Sequence, residues 1–281
     1  MEPHSKPASG KRSGHGPSFL RWAGSKRQTL RVLKDFVPNS TRHYVEPFAG
    51  SAALFFATKP VEGTLADLNG HLINALKQVR RAPRRIHERL NAIPRSEENY
   101  YESRHRFNSL SPNGEEAATL FIYLNRNCFN GLWRTNQRGL FNVPFGGDEM
   151  GASPPLSLFI ECANSLRGKK LLHQDYRRTI KNLDGRHFIY ADPPYFTAAE
   201  RTFVEYGAKS FGMRDLDDLV RLLSQAADRG ALVALTYSGA MAIPNIPVDW
   251  KQHRFDVTRN VGGFSGTRKK HSEVLYTNIV T

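Results

Sequence analysis

The chain has 281 residues, roughly two average domains or one domain with a large insertion, and 40% of them are hydrophobic, which excludes wholesale disorder. Lys and Arg number 40 against 26 Asp and Glu, a net charge of +14 that favours a polyanionic partner, nucleic acid before a membrane surface. The only cysteines, Cys128 and Cys162, exclude a disulfide framework and a Cys-rich zinc module and read as reduced core thiols of a cytoplasmic protein, while no apolar run approaches the ~18–20 residues of a spanning helix.

Met1 to Ser18 is rich in Ser, Gly, Pro, Lys, Arg and His, with no apolar stretch behind the basic residues. It is not a secretory signal and reads as a disordered basic arm (residues 1–18), equally a phosphate-touching segment or a solvated tail. Order begins near Phe19, and Thr29 to Phe36 reads as a helix stopped before Pro38. His43 to Glu46 is a short strand, Pro47-Phe48-Ala49-Gly50 a turn, and Ser51 to Ala57 the start of a helix. Gly63 to Asp67 is a second strand ending in an acid, and the helix Leu68 to Val79 follows. Strand, helix, strand and helix in that order predict a parallel α/β sheet. From about Ala82 to Leu166 the alternation gives way to helices with charged faces and a Gly/Asn/Arg-rich segment, Asn125 to Gly147, read as an inserted, mostly helical domain. Strands resume at Leu171 to Gln174 and His187 to Tyr190. Helix Leu216 to Ala227 leads by Gly230 into strand Ala231 to Thr236, and Glu273 to Asn278 is the last strand.

Four segments carry chemistry. Gly50 ends the first parallel strand, where a glycine lets backbone approach a nucleotide-like ligand; without a Gly-x-Gly pattern, a simple βα turn explains it as well. Asp67 ends the next strand, where an acid can accept both hydroxyls of a ribose or, equally, cap the following helix. Asp192-Pro193-Pro194-Tyr195 follows the apolar strand Phe188 to Tyr190. Its prolines donate no backbone hydrogen bonds, so a carboxylate, a fixed carbonyl and an aromatic ring converge where a planar base with an exocyclic amine can be held. Phe19 to Lys26 contains a Gly24 turn with a lysine suited to a carboxylate or phosphate, but it lacks P-loop spacing. No metal-ligand cluster stands out in the sequence.

Together these segments resemble the Dam-type (D12 class, alpha order) adenine-N6 DNA methyltransferases, over essentially Phe19 to Asn278. The most specific stretch is Tyr123 to Asn136, continuing through Gly139 to Gly146; Tyr100 to Arg104, Phe107-Asn108 and Gly266 to Lys270 also look like the family. The resemblance implies a Rossmann-like S-adenosylmethionine-dependent methyltransferase sheet (residues 19–81 and 167–281) with an inserted, mostly helical target-recognition domain (residues 82–166). It implies S-adenosylmethionine as methyl donor, double-stranded DNA as partner, and a bacterial or phage-encoded cytoplasmic enzyme on the nucleoid, monomeric or a homodimer. By similarity Trp22, Lys26, Phe48, Gly50, Asp67, Asp175, Tyr176 and Asp192 hold the cofactor, Lys26 near its methionine carboxylate and Asp175 at its adenine amine. Asp192, Pro193, Pro194 and Tyr195 hold the target adenine, flipped out of the helix. Arg134 and Arg21 reach guanine, Phe129 wedges into the stack, and Arg104, Arg126, Asn130 and Asn136 are phosphate or base neighbours, with Arg268, Lys269 and Lys270 as phosphate contacts from a loop.

Two small departures, Ser25 and Ala52, stand where the family favours glycine. Gly147-Asp148 replaces an Arg-Tyr pair of GATC-specific relatives, so GATC is not carried over as the target. A methyltransferase acting on cytosine N4, RNA or a protein amide is the competing enzyme, and a non-catalytic DNA-binding module the competing non-enzyme. Asp192, where those other enzymes favour Ser or Asn, and the intact Asp67 and Asp175 argue for adenine and for activity.

Overall fold

The structure is a computed structural model in which residues 17–22, 26, 29–39, 41–147, 153–195, 211–260 and 268–279 are described; side chains of 257–260 and 268–271 are not. Gly24, Ser25, Asp148 and most of the basic arm lie outside the described residues.

One seven-stranded sheet organises the chain, in the order β3-β2-β1-β4-β5-β7-β6. Its strands are β1 (His43–Glu46), β2 (Gly63–Asp67), β3 (Lys170–His173), β4 (His187–Ala191), β5 (Leu232–Ser238), β6 (Lys251–Asn260) and β7 (Arg268–Thr277). The first five are parallel, and β7 runs antiparallel between β5 and β6. β4 and β5 are buried almost throughout, as strands covered on both faces require, and they supply the apolar runs seen in the sequence. Strand order reverses between β1 and β4, so the carboxyl ends of β1, β2, β4 and β5 open onto one crevice, the place where such sheets take ligands. This is the expected Rossmann-like α/β sheet.

The final strand starts earlier than expected, at Arg268 rather than Glu273, because it forms a long hairpin with β6. Arg268, Lys269 and Lys270 therefore belong to a strand, opposite Asn260, Arg259 and Thr258, and not to a loop. The third helix, α3 (Gly70–Arg81), begins two residues later than expected because Asn69 caps it, its side chain accepting from the Leu72 amide at 3.1 Å.

Helices α1 (Leu30–Asp35), α2 (Ala53–Thr58) and α3 cover one face of the sheet. Four more, α4 (Pro83–Asn91), α5 (Glu97–Asn108), α6 (Gly114–Asn127) and α7 (Leu156–Leu166), lie between α3 and β3, the first opened by Pro83 just after α3 ends. These helices share a core with the sheet: Leu72, Leu76 and Val79 of α3 cluster with Phe121, Ile122 and Leu124 of α6 and with Phe159 and Leu166 of α7. Every residue of α6 from Ala117 to Asn127 is buried, as for a helix enclosed on all sides. The opposite face is covered by α8 (Tyr176–Ile180) and α9 (Met213–Asp228), whose Leu216, Leu219, Val220 and Leu223 follow helical spacing. Both cysteines are buried, and burial pushes each thiol up to about 12. Among the described residues no helix is long and apolar enough to cross a membrane.

Candidate active site

The turn after β1 and the end of β2 meet directly. Gly50 takes φ +46°, and a Cβ there would sit 3.1 Å from the Trp22 indole nitrogen, so glycine lets the indole close over the turn. Its amide donates to Asp67 Oδ2 at 3.0 Å, while the Asn69 amide donates to Asp67 Oδ1 at 2.9 Å. Asp67 is thus aimed by two backbone N–H groups, and the alternative reading of it as the helix cap is corrected: Asn69 is the cap. Burial raises the Asp67 carboxyl and these amides draw it back. Ala52, at φ 51°, occupies the left-handed region next to this turn, where a glycine is relaxed and alanine is strained by about 1 kcal/mol. Leu68, which the sequence reading set at the start of the next helix, precedes it and is 62% exposed.

Phe48 stacks on Tyr176 with centroids 5.2 Å apart, and Phe211 closes on both at 5.8 and 6.0 Å. Phe211, the third ring of this aromatic group, was missed by the sequence reading. The Tyr176 hydroxyl donates to the Asp215 carbonyl at 3.0 Å. Asp175 caps α8 through the Arg177 amide at 2.8 Å, and the Arg177 guanidinium lies 3.3 Å from its second oxygen.

Asp192 stands one residue beyond β4. Its Oδ1 lies 2.8 Å from the Lys26 ammonium and accepts from the Thr236 hydroxyl at 2.9 Å. Tyr190 and Thr236 hydroxyls are 3.3 Å apart behind it. Lys26, which the resemblance sets near a methionine carboxylate, is placed by the structure on the tetrapeptide: it also donates to the Tyr195 hydroxyl at 2.7 Å and lies 3.6 Å from Glu273 Oε1. The Lys26 side chain is 5% exposed, that of Asp192 21%. Burial disfavours the Lys26 charge, but the anionic groups around it outweigh this and raise its pKa. Burial raises the Asp192 carboxyl, and Lys26 draws it back. The Tyr195 ring meets Tyr237 edge-on at 5.0 Å, and Pro193 is buried.

Glu46, at the end of β1, is 2% exposed; Oε1 accepts from the Tyr44 hydroxyl at 2.6 Å, and among the described residues Oε2 has no hydrogen-bond partner. Burial pushes its carboxyl up to about 8 from an ordinary 4.5. The folded protein therefore holds this proton where the unfolded chain has released it. The contribution of Glu46 to stability is full below about pH 4.5 and is lost as pH rises toward 8, at up to about 1.4 kcal/mol per pH unit. Glu46→Gln removes the titration, so its melting temperature is expected to climb relative to wild type between pH 5 and 8.5. A constant difference across that range would refute the buried proton.

The inserted segment presents a second set of groups. Phe129 and Asn130 stand exposed on a 3-10 turn, Phe129–Gly131, with Asn130 at φ 53°. Arg134 is held by Asn142, donating to its side-chain oxygen at 2.8 Å and its carbonyl at 3.2 Å; Asn142 was not among the expected site residues. Arg104 donates to the Val143 carbonyl at 3.2 Å and lies over the Tyr101 ring. The Asn136 side-chain oxygen accepts from the Arg138 and Leu140 amides, which folds the exposed hairpin tip. Arg126 corrects an expectation: it is 6% exposed and donates to the Phe19 carbonyl at 3.1 Å, a fastener inside the protein and not a phosphate contact. Arg21 is bound to the same fastener, its guanidinium donating to the Arg126 carbonyl at 2.9 Å and its amide to Asn125 at 2.9 Å. Side chains of Arg268, Lys269 and Lys270 lie outside the described ones.

Known proteins resemble this chain in sequence over most of its length. The sequence is 31% identical over 270 residues to the Type II methyltransferase M1.LlaDCHI of Lactococcus lactis subsp. cremoris, covering 92% of this chain and 94% of that one. It is 32% identical over 266 residues to the DNA adenine methylase of Escherichia coli, with the same coverages, and 31% identical over 271 residues to that of Serratia marcescens, covering 92% and 97%. Residues 22–261 match the family model of the D12 class N6 adenine-specific DNA methyltransferases, and with the strand-end crevice and its Asp-Pro-Pro-Tyr corner the chain belongs to that family.

Proposed function

We propose that this DNA adenine methyltransferase transfers a methyl group from S-adenosylmethionine to N6 of an adenine flipped out of double-stranded DNA, at a specific short sequence. The observation that carries the reading is the Asp192 carboxylate, fixed at the mouth of the crevice by Lys26 and Thr236 and followed by two prolines. An aromatic amine is a weak nucleophile because its lone pair is delocalised into the ring. Asp192 and the Pro193 carbonyl accept its two N–H bonds, which localises the lone pair on N6. Catalysis is then positioning and electrostatic preorganisation.

The donor fits the crevice. Asp67, aimed by two amides, suits a ribose diol; the Gly50 turn under Trp22 leaves room that a Cβ would fill; half-buried Phe48 and Phe211 offer apolar surface for a purine, backed by the buried Tyr176 ring. The cofactor supplies a methyl group activated on a sulfonium. Asp192 cannot reach N6 inside a duplex, so the base leaves the stack at a cost of a few kcal/mol. Exposed Phe129 suits the vacated gap, Arg134 the edge of a guanine, and the net charge of +14 the phosphates. We assign residues 82–166 to target recognition and the remainder of the fold to transfer.

The test is long-read sequencing of DNA from a methylation-free host expressing the protein. N6-methyladenine in one recurring motif, at positions unmodified without the protein, is the expected result. Unmodified DNA from cells containing folded protein would overturn the assignment.

A further inference from the structure

The tetrapeptide corner contains one buried acid that the transfer reaction, as described, does not use. Glu273 lies on β7 opposite Ser238 of β5, is 2% exposed, and sits 3.6 Å from the Lys26 ammonium. Lys26 in turn lies 2.8 Å from Asp192. Burying an ion in a protein interior is unfavourable by several kcal/mol unless it is paired, and one lysine would be satisfied by one carboxylate. Here two carboxylates share it, one at the reacting corner and one behind.

We propose that Glu273 is a positioning residue for methyl transfer: it holds Lys26 from behind and leaves the Lys26–Asp192–Glu273 group with a net charge of −1 facing the reacting centre. The inference rests on the methyltransferase reading above. In the transfer the methyl–sulfur bond breaks as the methyl–N6 bond forms. The positive charge passes from sulfur to N6, and the surplus N6 proton then leaves to water. A Lys26–Asp192 pair alone would be neutral toward that moving charge. With Glu273 the group is anionic before and during the transfer, so no reorganisation is required when the charge moves.

A purely structural role predicts a general loss of binding; an electrostatic one predicts a loss that depends on the ligand's charge. S-adenosylmethionine carries the sulfonium and S-adenosylhomocysteine, the product, does not. Calorimetric titration of both into wild type and Glu273→Gln gives the discrimination ratio. Gln is expected to weaken S-adenosylmethionine relative to the product by on the order of tenfold, and to lower kcat by a similar factor with KM for DNA little changed. Glu273→Asp, which keeps the charge, is expected to keep most of the ratio. If Gln does not fold, Glu273→Met removes the same charge with a side chain suited to a buried position. An unchanged ratio in a folded, uncharged variant would overturn the proposal. Failure of the wild type to bind S-adenosylmethionine would instead overturn the reading on which it rests.

Discussion

Asp192→Ala is expected to abolish methyl transfer while the protein stays folded and still binds DNA. In the proposed mechanism the carboxylate accepts from the amine beside the Pro193 carbonyl and stabilises the charge that reaches N6. Losing one preorganised electrostatic contact of this kind lowers kcat by about 10²–10³, and here the substituted site is also left with Lys26 turned toward an incoming cation. The expected loss in single-turnover rate is therefore on the order of 10³ or more. Asp192→Asn should not restore it. An amide keeps the shape, but it removes the negative charge and sets an N–H₂ against either Lys26 or the substrate amine. Lys26 keeps Glu273 at 3.6 Å and Tyr195 at 2.7 Å in either variant, so the fold should hold. The measurement is single-turnover methylation of a short duplex beside titrations of cofactor and DNA. Transfer within tenfold of wild type would remove Asp192 from its assigned role.

What the sequence conveys depends on how local the determinant is. The β1 turn, the acid at the end of β2 and the tetrapeptide after β4 are each written in fewer than ten consecutive residues, and the apolar runs of doubly covered strands are distinctive. β6 was missed because it pairs only with β7 at the edge of the sheet, and Lys251-Gln252-His253-Arg254 lacks an apolar face to announce it. Glu273, Thr236 and Asn142 were missed for another reason. Their partners are Lys26, Asp192 and Arg134; the Thr236–Asp192 pair is set by the register of β5 on β4, and Glu273 meets a lysine far away in sequence that lies on no strand. A glutamate in a basic stretch and a threonine in an apolar strand carry no mark of that. Arg126 shows the converse: within a polar Asn-Arg-Asn run it reads as surface, yet α6 is enclosed and its side chain serves the Phe19 carbonyl. Asp67 and Asn69 both suit a helix cap by type, and only geometry chooses between them.

Arg134→Ala is expected to relax sequence preference far more than it weakens binding to unrelated DNA. A guanidinium reads guanine by donating two parallel hydrogen bonds to O6 and N7, and one such contact discriminates by about 1–3 kcal/mol, roughly 5- to 150-fold. Its value depends on the fork being oriented before DNA arrives, since a free arginine would have to be ordered on binding. Asn142 supplies that orientation: Nε and one terminal nitrogen of Arg134 are already bound to it, at 2.8 and 3.2 Å. The two residues sit across the short hairpin whose strands bridge at Thr135 and Phe141, and the Asn142 amide returns a bond to the Arg134 carbonyl at 3.1 Å. The alternative is a surface arginine that touches phosphate. That role would lower affinity for every sequence alike and reduce the salt dependence of binding by about one counterion. The two are separated by comparing kcat/KM on the recognised motif and on variants differing at each position, with non-specific affinity measured at two salt concentrations. Loss of preference at one base pair, with the salt slope unchanged, is the expected outcome; a uniform loss with a shallower slope would make Arg134 a phosphate contact. Asn142→Ala should reproduce the loss of preference in weaker form, because it leaves the guanidinium in place and removes what aims it.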